Sequence, residues 1–130
     1  MAIWKSKSMK KKKPWGTVES ITTPFGMEGK IIRMNSGSRN SLKYYPQRNQ
    51  AIYCLSGKVI FEAPDENEFG DIVVPGRGSI FEIIPGQVMF IELGNTYRIK
   101  AVDDSVLFEV ILGRRTNTPK KILEDDYGRA

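Results

Sequence analysis

The 130-residue sequence contains no histidine and only one cysteine, Cys54. Those two shortages exclude more chemistry than any residue present supplies. Histidine is the usual acid–base group near neutral pH and the commonest protein metal ligand. Without it, Ser-His-Asp and Cys-His nucleophile systems cannot be assembled, and neither can imidazole-based zinc, iron or copper sites. One cysteine makes neither an internal disulfide nor a thiolate cage, a pattern that suits a reducing cytoplasm. No apolar run approaches the roughly 20 residues of a membrane helix. No apolar stretch follows the charged N-terminus either, so no secretory signal and no membrane attachment are expected.

The net charge of +5 is unevenly placed. Six lysines, Lys5, Lys7 and Lys10 to Lys13, precede the first acid; beyond them, 14 basic residues stand against 15 acidic ones. The chain is therefore expected to divide into a basic, disordered arm, residues 1–13, and one near-neutral domain, residues 14–130. Such an arm can touch an acidic surface through counterion release. No aromatic stacking series accompanies the lysines, so nucleic acid is not an expected partner.

From Trp15 onward, short runs rich in β-branched and aromatic residues alternate with turn signals. The expected strands are GTVESITT, GKIIRM, AIYCLSG, KVIFEA, DIVV, SIFEII, VMFIEL, TYRIKAV and VLFEVIL, separated by Gly, Pro, Asn and Asp turns. No window keeps a helical apolar period beyond about two turns. The class is all-β, a sandwich or a barrel. The polar tail from Arg114 has room for one short helical turn. The acidic run Asp65 to Glu68 lacks the spacing of a calcium loop and reads as a hairpin tip. VPGRGSI, Val74 to Ile80, opens no helix and is neither a P-loop nor a dinucleotide fingerprint.

Three segments carry a family resemblance: KPWGTVESI (Lys13 to Ile21), GSRNSLKYYPQRNQAIYCLSGKV (Gly37 to Val59) and ILEDDYGR (Ile122 to Arg129). PGQVMFIELGNTYRI (Pro85 to Ile99) is a weaker fourth. They resemble a cupin, and more narrowly the small cupin domain of type II mannose-6-phosphate isomerases, the kind fused to mannose-1-phosphate guanylyltransferase. The resemblance implies a double-stranded β-helix, or jelly-roll barrel. It also implies a divalent-metal site of three histidines and a glutamate. In this sequence the four ligand places hold Tyr45, Gln47, Gln50 and Tyr97. No metal and no other cofactor is therefore expected, and no phosphomannose isomerase activity, because that reaction needs a cation to polarise the sugar carbonyl.

Alternation puts Gln50, Ile52 and Cys54 on one strand face and Ala51, Tyr53 and Leu55 on the other. If the resemblance holds, the Gln50 face looks into the barrel beside Tyr45, Gln47, Tyr97 and Ile99. That lining suits a sugar or another uncharged polar ligand; equally, its polar groups can satisfy one another or hold water. Lys43, Arg48 and, less directly, Arg98 are the candidate phosphate clamps. Cys54 reads as a small buried hydrophobe, and Trp15 as a packing anchor or a cover on the barrel mouth. The C-terminal acids Asp125 and Asp126 are expected to pair cations on the barrel exterior.

Three functions stay open on the sequence. The first is a non-catalytic sugar or sugar-phosphate binding cupin tied to carbohydrate metabolism. The second is a metal-independent sugar isomerase or epimerase using Tyr45, Tyr97, Lys43 or Glu62 as proton carriers. The third is a dimeric structural protein whose lysine arm meets an acidic partner. Cupins of this size commonly pair through an outer sheet, so a homodimer is expected on resemblance.

Overall fold

The computed structural model describes residues 2–64, 78–113 and 121–124. Among them there is no helix. Eleven strands run in the order β1 (Met9–Lys13), β2 (Gly16–Thr22), β3 (Met27–Met34), β4 (Leu42–Tyr44), β5 (Arg48–Ser56), β6 (Val59–Pro64), β7 (Gly78–Ile83), β8 (Val88–Ile91), β9 (Arg98–Ala101), β10 (Ser105–Gly113) and β11 (Lys121–Glu124). Eight of the nine expected strands are present; the ninth, DIVV, lies outside the described residues, as do the Asp65 to Glu68 tip and Asp125 and Asp126. In the tail, where the sequence has room for a helical turn, Lys121–Glu124 is instead a strand, paired with β4. The remainder of the tail is outside the described residues.

The strands make a six-stranded sheet, β1-β2-β3-β10-β5-β8, a three-stranded sheet, β7-β6-β9, and a two-stranded sheet, β11-β4. All pairings are antiparallel. Single bridges from Arg39 to Lys100 and from Lys43 to Tyr97 tie the segment around β4 to β9. The smaller sheets thereby close over the larger one. The core between them holds Met34, Ile52, Cys54, Val59, Phe61, Ile99 and Leu107, all essentially inaccessible to solvent. Burying each such aliphatic or aromatic side chain stabilises the fold by about 1.5–3 kcal/mol.

The lysine segment corrects one expectation. Met9–Lys13 is not a disordered arm but an edge strand, paired with β2 from Met9 opposite Ser20 to Lys13 opposite Gly16. Lysine has little intrinsic preference for strands, so the cause lies elsewhere. The turn Pro14-Trp15 buries Trp15 in the core, and this fixes the hairpin that lays the lysines against β2. A lysine-rich edge also discourages a further strand from adding there. Gly16 makes the turn possible. Its φ is +152°, and a Cβ at this position would collide with the Arg33 carbonyl oxygen.

Gly16→Ala should therefore lower the unfolding free energy by well over the roughly 1–2 kcal/mol of backbone handedness alone, since the β2–β3 pairing must also shift. Gly26→Ala, at φ +84° but with nothing within 4 Å of the added methyl, should cost only the handedness. Urea denaturation of the two variants checks this, and equal losses would contradict it.

Candidate functional site

A cavity of about 220 Å³ opens between the sheets near β1. Its walls follow from strand parity. On β5 the inward residues are Gln50, Ile52 and Cys54, while Ala51, Tyr53 and Leu55 turn outward, as alternation requires. On β10 the same parity turns Leu107, Glu109 and Ile111 inward. Register places Glu109 beside Ile52 on one side and Lys30 on the other. Opposite them stand Lys43 and Tyr97, whose backbones exchange both hydrogen bonds, at 3.1 and 2.9 Å. That pairing puts their side chains on one face, with the Lys43 ammonium 4.2 Å from the Tyr97 ring centroid.

At the centre lies a buried polar group of three. Gln50 Nε2 donates to the Tyr97 hydroxyl at 2.8 Å and, in a very short contact, to Glu109 Oε2. All three side chains are buried. Lys43 Nζ donates to the Ser41 carbonyl at 3.1 Å, and Asn40 locks the neighbouring loop by accepting from the Ile99 amide at 2.8 Å. Lys43 and Glu109, each only 4% exposed, bring opposite charges into one low-dielectric space. Ions buried this far are retained only with partners.

The tyrosines respond to that setting. Burial, and then the negative charge of Glu109, raise the Tyr97 phenol well above its ordinary value, with the Gln50 hydrogen bond opposing. The Tyr45 phenol is raised by the same two causes, against the opposing Arg48 guanidinium, which lies 4.2 Å above its ring. Neither phenol is a ready proton carrier near neutrality. The Cys54 thiol is also raised by burial, which agrees with its reading as a small hydrophobe.

The expected site residues separate into two groups. Tyr45, Tyr97 and Lys43 are buried in the cavity wall, and Gln50 is buried behind it, hydrogen-bonded to the lining residues Tyr97 and Glu109. Gln47 is exposed and does not line it, because the loop carrying Pro46 turns that side chain to solvent. Arg48 stacks on Tyr45 from behind the lining. Arg98 has the opposite parity to Tyr97 and Ile99, sits across from Glu62 in register, and is not in the lining. Trp15 is both core and wall. Sequence reasoning alone misses Glu109. Its signal is an acid in VLFEVIL sharing parity with Leu107 and Ile111, a charge where the pattern demands an apolar residue. Lys11, Lys13 and Lys30 in the wall are missed as well.

Neither a family model nor a curated sequence matches the chain. Solved structures do. Oxalate decarboxylase from Bacillus subtilis superposes with a TM-score of 0.70 at 17% identity, over 89% of this chain and 30% of that one. The Schizosaccharomyces pombe Cnp3 cupin domain superposes with a TM-score of 0.61 at 15% identity, over 75% of this chain and 64% of that one. A deletion mutant of the Bacillus subtilis decarboxylase gives 0.70 at 16%, again over 89% and 30%. The chain thus spans about a third of the decarboxylase and just under two-thirds of the Cnp3 domain. It has the cupin fold, a single jelly-roll β-barrel domain.

Because the folded phenols ionise at higher pH than the unfolded ones, their stabilising contribution is complete below about pH 10 and disappears as pH rises past that value. Unfolding free energy should fall from about pH 10 upward, and Tyr97→Phe should flatten the fall. Identical pH profiles for wild type and variant would contradict the burial of that phenol.

Proposed function

We propose that this cupin is a non-catalytic binder of a small sugar or sugar phosphate, held in the barrel cavity, and that it binds no transition metal. The observation that carries the reading is the Gln50–Tyr97–Glu109 cluster. The Bacillus subtilis decarboxylase is described as having Mn(II) centres, but the donors here do not fit such an ion. Gln50 turns its NH₂ end, which has no lone pair to give, toward Glu109, the one carboxylate in the lining among the described residues, and occupies an oxygen of it. Among the described residues no three thiols or carboxylates converge. The same cluster suits hydroxyl-rich guests: the carboxylate accepts and the phenol donates or accepts hydrogen bonds, while Trp15 offers a flat apolar face in the wall.

The reading keeps the kinship with the mannose-6-phosphate isomerase cupins drawn from the terminal motifs, and with it carbohydrate metabolism and a cytoplasmic setting. No helix among the described residues is long and apolar enough to cross a membrane. A homodimer belongs to the same reading. Its support is the outward face of β10, β5 and β8, where Val110, Leu112, Tyr53, Leu55 and Phe90 are exposed side by side.

A second reading, a metal-independent sugar isomerase or epimerase, draws its support from Glu109 and Lys43 facing one cavity as carboxylate and ammonium. Glu62, a candidate proton carrier by sequence, pairs with Lys100 at 2.9 Å on the outside of β6 and does not line the cavity.

Thermal-shift screening with mannose, mannose 6-phosphate and nucleotide sugars tests the first reading. A ligand at 100 times its dissociation constant adds about 2.7 kcal/mol, and Gln50→Leu should abolish the shift without abolishing folding. No shift with any of these sugars overturns the binding reading. Exchange of solvent deuterium into a sugar, lost in Glu109→Gln, would replace it with the second.

A further inference from the structure

The lysine run at the N-terminus is sorted by strand parity, and the two parities meet different company. On the outer parity, Lys10 lies across from Glu19, which also accepts from Arg33 at 3.2 Å and from the Ser8 hydroxyl at 2.6 Å. Lys12, on the same parity, lies across from Thr17. On the inner parity, Lys11 and Lys13 face the cavity, joined by Lys30 from β3 and by Lys43 on the floor. Exposure falls along the series: Lys11 is exposed, Lys13 and Lys30 are half-buried and Lys43 is buried. Among the described residues the lining holds one carboxylate, Glu109, and a second, Glu28, shares the parity of Lys30 on β3 and contributes to raising the Tyr45 phenol. Among the described residues no ion pair engages Lys11, Lys13 or Lys30.

Like charges gathered around a partly closed space repel one another more strongly than they would in bulk water. An anion entering that space relieves the repulsion and gains charge-assisted hydrogen bonds. We propose that the inner face of β1, with Lys30, is an anion subsite that receives a phosphate ester, Lys11 and Lys13 contacting it at the mouth while the rest of the guest reaches Tyr97 and Glu109. The inference rests on the barrel being a binding site, as proposed above, and assigns the charged end of the guest to Lys11, Lys13 and Lys30, of which only Lys13 falls within a resemblance segment.

Trp15 lines the same cavity and reports on it. The other tryptophan, Trp4, is exposed and is removed as Trp4→Phe. In that background, Trp15 fluorescence of the full chain is titrated with inorganic phosphate, mannose 6-phosphate and mannose. Two pairs of substitutions with equal loss of charge are compared: Lys11→Gln with Lys13→Gln, and Lys10→Gln with Lys12→Gln. Circular dichroism verifies that each variant folds. The inner pair should weaken mannose 6-phosphate binding about tenfold or more, with the outer pair close to wild type. Added salt should weaken the wild type more than the inner-pair variant. Equal losses in the two pairs overturn the subsite, since net charge alone would then account for binding. A mannose response without any phosphate response also overturns it, while leaving sugar binding intact. A phosphate response lost in the inner pair, with no contribution from the sugar, sustains the subsite and removes the sugar reading.

Discussion

One side-chain amide organises the interior of this barrel. Gln50 Nε2 donates at once to the Tyr97 hydroxyl and the Glu109 carboxylate, joining β5, β10 and the bridge that leads into β9. Each of the three would be costly to bury alone: an unpaired buried polar group costs about 1–3 kcal/mol, and a charge more. Together they are mutually satisfied, so the barrel can keep polar matter where a β-barrel ordinarily packs aliphatic side chains. The arrangement also fixes the electrostatics. Burial first, and then the carboxylate, raises both neighbouring phenols, and the ammonium of Lys43 lies 4.2 Å from the Tyr97 ring centroid.

In the proposed reading, this network sets the chain apart from metal-dependent chemistry. A metal centre needs lone pairs converging on one point, from imidazole, thiolate or several carboxylates. Here Glu109, the single lining carboxylate among the described residues, is turned to an amide donor. What is left is a cavity with hydrogen-bonding groups on its floor, flat rings in its wall and lysines at its rim. Those are the elements that the proposed recognition of a phosphorylated guest uses.

Much of the architecture was legible in the sequence because period-2 alternation and turn residues act locally. The parity of Gln50, Ile52 and Cys54 followed from alternation alone. Other features were not legible because they depend on distant contacts. Lysine composition argues against a strand at Met9–Lys13; only the burial of Trp15 and the close approach of Gly16 to Arg33 create one. Motif alignment assigns Gln47 inward, yet the path of the loop at Pro46 turns it out. The pairing of Lys43 with Tyr97 joins residues far apart along the chain, which no local pattern announces. Glu109 did leave a local trace, one acid on the apolar parity of its strand.

The central claim is that the polar side chains of the cavity serve to hold a hydroxyl-rich guest and offer no transition-metal site. Elemental analysis of protein purified without chelator, after gel filtration, tests it most directly. The account predicts manganese, iron, cobalt, nickel, copper and zinc all far below one per chain. One bound transition metal per chain, lost in Glu109→Gln, would contradict it.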